Sequence, residues 1–501
     1  MWWSVFVPNS PKSLRCPDRR RTLDVRCGQQ QAAVSLRAGG EMPGWTVNQL
    51  LEATQGTLVV GNGSEAVNGI GIDSRRLAPR QAFLAIRGPR FDGHAFLQEA
   101  IDRQAACLIV SQRPSTPSAI PTIVVQDTTN ALGDLAAFHR RRFAIPLIAV
   151  TGSCGKTTTK DLIAHLLSED EPVLKTQGTE NNHIGLPLTL LRLAPTHRYA
   201  VVELGSNHPG EIAYLARLAQ PTMAVVTNIG PAHLEFFGSL EAVRREKLSL
   251  LEALDPQGAA IIPGDQLDVL LEAKSRIRPG MTLVTFGASD QCGVQVVETH
   301  RKADGLSLRL RGTPGELFLP LRGFHNVENA LAALACLKAL GVSFESVRDR
   351  LRAMPPPAMR SELIRCNGFT IINDCYNANP LSFARALELL GELDTARKVL
   401  IAGDMLELGG AASKAHHMIG ELAARSGIDV LLAVGDFAEM IARGASERRP
   451  LTTEIYRTVE DLLTALPSRI RSGDGILIKG SRQVRLERVT SCLQALGRSH
   501  G

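Results

Sequence analysis

Apolar and polar positions alternate in blocks along most of this chain. Short apolar runs stop at polar or glycine-rich turns, and stretches with apolar residues at helical spacing follow. The pattern predicts a helix over 45–53, strands at 67–72 and 81–87, a helix over 95–103, and strands at 107–110 and 122–125. A helix over 129–143 leads into the apolar run 145–150, and further strands fall at 199–203 and 223–229. Helical spacing covers 240–254 and resumes strongly after Gly323. Beyond residue 358 the strands 369–372, 399–402, 430–434 and 475–478 alternate with helices. Such alternation predicts an α/β fold with mainly parallel sheets.

A chain of 501 residues has room for roughly three domains of about 150 residues each. The pattern divides it into a small N-terminal α/β unit over 42–126, a central unit over 127–357 and a Rossmann-like α/β unit over 358–501. Met354, the three prolines 355–357 and Ala358 form a stiff linker between the last two. Residues 1–41 lack periodicity and are rich in Arg, Gln, Gly and Ser. They are expected to be a disordered extension or a mis-assigned start, with Met42 opening the patterned chain. Their apolar opening is too short for a signal core, and Pro8 and Pro11 break it.

Hydrophobic content of 44% with 21% charged residues describes a globular enzyme. Much of the net charge of +6 lies in the first forty residues, and aromatics are only 4%, which argues against nucleic-acid binding. The nine cysteines form no C-x-x-C pair, which argues against zinc and fits a reducing cytoplasm. No apolar run reaches the roughly 18 residues needed for membrane insertion.

The chemistry concentrates after the run 145–150. There the sequence Thr-Gly-Ser-Cys-Gly-Lys-Thr at 151–157 turns into a helical stretch with Leu162, Ile163, Leu166 and Leu167 on one face. Strand, glycine loop and helix N-terminus make a phosphate cradle: backbone N–H groups face an anion, Lys156 adds charge and Thr157 offers a hydroxyl to Mg²⁺. The common template has glycine where Val150 stands, so this is a shortened loop. Cys154 reads as a small loop residue rather than a nucleophile. Glu203 ends a strand, where a carboxylate can hold Mg²⁺ beside phosphates. Asn326 and Asn329 fall in the first turn of a strong helix, as caps or as base contacts. Loops at 73–75, 88–93, 374–380, 403–409 and 479–482 follow strands, where α/β folds place ligands and where solvated turns also lie. His416 and His417 are expected on a helix surface.

Together these motifs resemble the Mur ligases, the ATP-dependent amide-forming enzymes of bacterial cell-wall synthesis. The features that match in order are the loop 151–157, Asn181-Asn182 with Gly185 and Pro187, Glu203, His233 with Lys247 fourteen residues on, His325-Asn326 with Asn329, and Arg360 with Glu362. The resemblance spans 42–501. Pro263 and Gln266 depart from the family's usual Asn-x-Asp-Asp segment, so no nucleotide role is carried onto them. Tyr-Asn-Ala-Asn-Pro at 376–380 and Gly-Asp-Met-Leu-Glu-Leu-Gly at 403–409 are similar to the branch that adds D-alanyl-D-alanine to UDP-N-acetylmuramoyl-tripeptide. The Asp-Asn-Pro-Arg tetrapeptide of diaminopimelate-adding relatives is absent. Folylpolyglutamate synthetases share the loop but begin with the ATPase domain, whereas this chain carries the extra unit 42–126.

The resemblance implies a three-domain fold: a UDP-substrate domain, a central ATP-binding domain and a C-terminal domain. It implies a cytoplasmic, monomeric enzyme with small-molecule substrates. Gly152, Ser153, Cys154, Gly155, Lys156, Thr157 and Thr158 would cradle ATP, with Lys156 on its β- and γ-phosphates. Thr157 and Glu203 would hold one Mg²⁺ and His233 a second. Lys247, a solvated helix lysine by spacing alone, would be carbamylated by CO₂ and support the metal. Arg360 would reach the transferring phosphate on domain closure. Asn326 would contact adenine, and Asp374 the ribose or the phosphate region. Tyr376, Asn377 and Asn379 would shape the dipeptide site, Ser74 and Arg75 would meet the uridine-diphosphate end, and Asn181 and Asn182 would contact substrate or brace the phosphate loop. The rival readings are a third-residue-adding ligase of the same family, a P-loop NTPase that moves a partner, and a non-catalytic nucleotide module.

Overall fold

The computed structural model describes residues 44–88, 91–114, 118–168, 171–366, 368–448 and 450–499, so the expectation for 1–41 lies outside the described residues. The first sheet has five strands in the order Thr57–Val60, Thr122–Val124, Cys107–Val110, Ala82–Leu84 and Ile70–Gly71, the first pair antiparallel and the rest parallel. The strand expected over 67–72 is split in two. Ala66–Val67 pairs with Trp45–Thr46, and Asn68 and Gly69 turn the chain before Ile70. Thr46 starts the helix Val47–Thr54 with a reciprocal capping box to Gln49.

The helix Thr128–Arg140 joins this unit to the next. Ala131, Leu132 and Leu135 pack with Trp45, Leu50 and Ile109, while Ala136 and Ala137 pack into the neighbouring core. One helix thus seals two cores with two faces.

The central sheet has nine strands, and the third from one edge is Leu147–Thr151, buried along its whole length. Tyr199–Glu203 and Met223–Val226 flank it in parallel, with Glu203 beside Val150 and Val226 beside Thr151. That register brings three strand ends to one edge, where ligands of parallel sheets bind. Apolar runs with no polar alternation fit strands covered on both faces. At the far edge, Val294–Lys302, Gly305–Leu310 and Leu317–Leu319 turn antiparallel.

The C-terminal sheet runs Glu362–Cys366, Phe369–Asp374, Asp474–Lys479, Arg397–Gly403, Val430–Val434 and Thr452–Tyr456, parallel after its first pair. The expected α/β class with mainly parallel sheets is what the structure has. One expectation is corrected. His416, on the helix Ala412–Arg425, is buried, stacked on Phe437, and accepts a hydrogen bond from the Met405 N–H at 2.8 Å. Adjacent helical residues point about 100° apart, so one histidine faces inward while His417 turns out to Glu447 at 3.0 Å. Among the described residues no helix is long and apolar enough to cross a membrane.

Candidate active site

A cleft of about 590 Å³ lies where the phosphate loop meets the C-terminal domain. Its floor is built from the loop after Leu147–Thr151. Gly152 has φ of 142°, and a Cβ there would stand 2.1 Å from the Thr227 hydroxyl oxygen. Gly155 has φ of 81°, and a Cβ would meet the Asn329 side-chain oxygen at 2.0 Å. Both positions therefore exclude a side chain twice over, by backbone and by space. The loop is clamped from the next strand's end: Asn228 accepts from the Cys154 N–H at 3.0 Å and donates to the Cys154 carbonyl at 3.0 Å. Ser153 donates to the Gly230 carbonyl at 2.8 Å and accepts from the Gly230 N–H at 2.9 Å. Asn228 and Thr227 are site-shaping residues that sequence reasoning missed. Their only signal was two polar residues near the end of the run expected as a strand over 223–229, which in the structure stops at Val226.

Lys156 opens the helix Lys156–Ser168, and its Nζ donates to the Gly152 carbonyl at 2.8 Å. Burial lowers its pKa, and Glu203 pulls it back up. The Thr157 hydroxyl donates to Glu203 Oε2 at 2.6 Å, and Asn181 Nδ2 donates to Oε1 at 2.9 Å. A buried carboxylate beside a hydroxyl is an oxygen donor set that suits a hard cation completed by phosphates and water. Among the described residues no trio of His, Cys, Asp and Glu is grouped to hold a metal by itself. Asn182 lines the cleft and accepts from the N–H groups of Ile184 and Gly185 at 3.1 and 2.9 Å, in the turn that enters the helix Gly185–Leu191. Thr158 also lines the cleft.

Lys247 does not line the cleft. It is buried behind it, donating to Ser206 Oγ at 2.6 Å. Desolvation, with Lys156 nearby, pushes its pKa down to about 7. Glu246, its neighbour, accepts from the Gly210 and Ile212 N–H groups at 2.8 Å each and fixes the helix Leu240–Leu248 against the loop that carries Ser206.

His233 faces the C-terminal domain, where its Nδ1 meets Glu407 Oε2 at 2.5 Å. Both residues are left-handed, with φ of 52° and 61°. Left-handed non-glycine backbone costs on the order of 1 kcal/mol or more and gathers at functional sites. Met359 and Ser361, on either side of Arg360, are left-handed too, at 55° and 52°. They aim the Arg360 guanidinium over the Tyr376 ring, 3.8 Å from its centroid. Asp374 accepts from the Ser361 N–H at 2.9 Å and from Lys479 Nζ at 2.5 Å. Asn379 caps the helix Pro380–Gly391, accepting from the Ser382 N–H at 2.8 Å, and its amide reaches Cys154 Sγ at 3.4 Å. Asn326 is buried on the cleft wall, with its side-chain oxygen accepting from Asn329 at 3.0 Å. Asn377 lines the cleft too.

The cleft thus gathers the expected loop residues with Asn181, Asn182, Glu203, His233, Asn326, Arg360, Asp374, Tyr376, Asn377 and Asn379. Ser74 and Arg75 are not among its lining. Ser74 is buried and donates to Glu99 at 2.8 Å, and Arg75 is exposed and paired with Asp73 at 2.9 Å. Gln266 bridges both backbone groups of Ile229 at 2.8 Å, which accounts for a residue left without a nucleotide role.

Family models match three successive segments: the Mur ligase family catalytic domain over 66–140, the Mur ligase middle domain over 150–337 and the Mur ligase glutamate ligase domain over 359–482. The chain belongs to the Mur ligase family. It is similar to the UDP-N-acetylmuramoyl-tripeptide–D-alanyl-D-alanine ligase of Bacillus subtilis, 36% identical over 89% of this chain and 98% of that one. It is similar also to the crystal structure of MurF from Acinetobacter baumannii, with TM-score 0.83, 34% identity and coverage of 91% and 99%. The MurF ligase of Thermotoga maritima, solved in complex with ADP, matches with TM-score 0.78 and 26% identity over 86% and 98%. The three-domain fold is common to these structures and this chain.

Proposed function

We propose that this chain joins D-alanyl-D-alanine to UDP-N-acetylmuramoyl-tripeptide at the expense of ATP. The observation that carries the reading is the cleft itself: a phosphate loop and carboxylate from one domain face Arg360, Asp374 and Tyr376 from another. The relatives' names favour this substrate pair over the third-residue-adding alternative. The unit 42–126 is proposed to hold the uridine-diphosphate end through Ser74 and Arg75, 127–357 to hold ATP, and 358–501 to receive the dipeptide.

Neither a carboxylate nor a protonated amine reacts usefully alone. The tripeptide's terminal carboxylate oxygen attacks the γ-phosphorus of ATP. A new O–P bond forms, the bond to the β-phosphate oxygen breaks, and ADP leaves. The dipeptide's deprotonated amine then attacks the acyl carbon. The C–N bond forms, inorganic phosphate departs with the C–O pair, and the amine's remaining excess proton passes to solvent. The first step brings two anions together, so neutralising charge is the main demand. Lys156 and Arg360 meet that demand from opposite walls. Asn326 would take the adenine edge and Asp374 the ribose or phosphate region. Asn181 is suited to hold Glu203 in place, and Asn182 to hold the adjoining turn.

Thr157 and Glu203 fit one Mg²⁺, and His233, whose Nδ1 is engaged by Glu407, fits a second through its other nitrogen. The ions would supply charge neutralisation at the phosphates. Lys247 is proposed to be carbamylated, because a cation buried beside Lys156 is unfavourable and a carbamate reverses its sign. The test is phosphate release with UDP-MurNAc-tripeptide plus D-alanyl-D-alanine, compared with UDP-MurNAc-dipeptide plus a diamino acid. Turnover only with the first pair is expected. Turnover only with the second, or phosphate release without any acceptor amine, overturns the reading.

A further inference from the structure

The C-terminal wall of the cleft carries more charge than the phosphate chemistry uses. Two of its cations are already committed. Lys479 is buried against Asp374 at 2.5 Å and the Asn377 carbonyl at 3.1 Å. Arg385 is paired with Glu328 at 2.5 Å. Arg482 differs: its side chain is 50% exposed, and it lines both this cleft and an adjoining hollow shared with Arg485. One guanidinium nitrogen donates to the Met359 sulfur at 3.2 Å and lies 3.3 Å from Glu487, which leaves most of the group's five donors to other partners. Among the wall's carboxylates, Asp374 is neutralised by Lys479, whereas Glu407 is 36% exposed, meets His233 through one oxygen and has the Asn207 side chain as its other neighbour.

Ser481 ties the loops that bear these two residues together. Its N–H donates to the Asp404 carbonyl at 2.8 Å, and its hydroxyl accepts from the Leu406 N–H at 2.9 Å. Glu407 follows Leu406 and Arg482 follows Ser481, so an anion and a cation stand on neighbouring backbones. From the other side, buried His416 holds the Met405 N–H and fixes the same loop. Leu406, Leu408 and Ala378 add apolar lining. A zwitterion about two residues long with small apolar side chains carries the complementary charges at its two ends.

We propose that Glu407 and Arg482 hold the two ends of the zwitterionic acceptor dipeptide, the ammonium at Glu407 beside His233 and the carboxylate at Arg482. The proposal rests on the ligase reading above and names the residues that select its acceptor. It gives a direction: the amine end lies toward His233 and the phosphate loop, and the carboxylate end lies away from the reacting atoms. Glu407 then orients His233 with one oxygen and receives the ammonium with the remaining lone pairs, beside the Asn207 side chain that already bonds it.

The test compares D-alanyl-D-alanine with its C-terminal amide as acceptors for the full-length protein. Charge-assisted, bidentate binding of the carboxylate by Arg482 predicts that the wild type prefers acid over amide by roughly 10–100-fold in kcat/KM. In Arg482→Met that preference is expected to collapse toward unity, with the loss in the acceptor's KM and not in that for ATP. Arg482→Lys should keep part of it and guards against a folding defect in the first variant. Glu407→Gln should raise the acceptor's KM at least 10-fold. An unchanged acid-to-amide ratio in both Arg482 variants overturns the clamp while the ligase reading stands. So does a Glu407→Gln effect confined to Mg²⁺ activation. No dipeptide-dependent phosphate release from the wild type sinks the ligase reading and takes the clamp with it.

Discussion

The ammonium of Lys247 lies 2.6 Å from the hydroxyl of Ser206, in a place where only 1% of the lysine is exposed. Burial and the neighbouring Lys156 bring its pKa down to about 7, so a neutral amine is accessible near neutral pH. A neutral lysine amine adds to CO₂, forming an N–C bond and releasing one proton. The neutral fraction grows as pH rises through 7 and falls to about a tenth by pH 6. Bicarbonate labelled with ¹³C is therefore expected to give a carbamate resonance at pH 8 that fades at pH 6. Lys247→Ala should lose about 100-fold in kcat, the scale of a lost electrostatic contact to a transition state, and short-chain carboxylates should restore part of it. Unchanged activity in the plain variant removes the carbamate.

Arg360 depends on a ring for its position. Its guanidinium stacks 3.8 Å from the Tyr376 centroid, between two left-handed residues. Stacking needs the planar fork and the π face, which a lysine or an alanine lacks. Tyr376→Phe should retain most activity, whereas Tyr376→Ala should lower kcat about 10-fold. Arg360→Lys should lower it further with a smaller change in the KM for ATP. Equal loss in the Phe and Ala variants at position 376 assigns the effect to the hydroxyl and sinks the stacking argument.

Much of this site was legible because it is local. Residues 151–157 declare a phosphate loop by spacing alone, and Glu203 declares itself by ending an apolar run. What stayed hidden depends on sheet order. Asp374 and Lys479 lie 105 positions apart and meet because their strands are parallel neighbours in register. No periodicity reports which strands adjoin. The His233–Glu407 contact crosses two domains, and it too is invisible along the chain. The edge strands after residue 282 escaped for another reason. Val294–Lys302 is mostly exposed along one stretch, so its apolar signal is weak. His416 was misread because a neighbouring histidine on the same helix turn disguises which one faces the core.

Glu203 should govern divalent-cation affinity more than nucleotide affinity. Its two oxygens are held by Thr157 and Asn181, a buried arrangement with a fixed direction. Glu203→Gln keeps the shape and removes the charge, so ADP binding without metal should change little. The enhancement of ADP binding by Mg²⁺ should fall about 10–100-fold, and Asn181→Ala should reproduce part of that loss by freeing the carboxylate. Calorimetric titration of ADP at several Mg²⁺ concentrations measures both. Equal weakening of ADP with and without Mg²⁺ in Glu203→Gln would falsify the assignment.

His325 sets a limit on how the cleft responds to acid. Burial, reinforced by Arg385 and Lys479, lowers its pKa to about 3, so the imidazole stays neutral throughout the physiological range. Its Nε2 stands 3.4 Å from the Ser361 hydroxyl, linking the central domain to the segment that presents Arg360. In the unfolded chain a histidine titrates near 6.5, so between that value and 3 the unfolded state binds the extra proton. Stability from this group is complete above about pH 6.5 and is lost as pH falls toward 3. The loss is at most about 2 kcal/mol by pH 5, at 1.4 kcal/mol per pH unit. Urea unfolding of wild type and His325→Gln at pH 7.5 and pH 5 measures it. The variant is expected to be the less stable of the two at pH 7.5, with the gap narrowing or reversing at pH 5. A gap that is constant across the two pH values would show that the folded imidazole titrates as it does in the unfolded chain and that burial and the nearby cations do not lower its pKa.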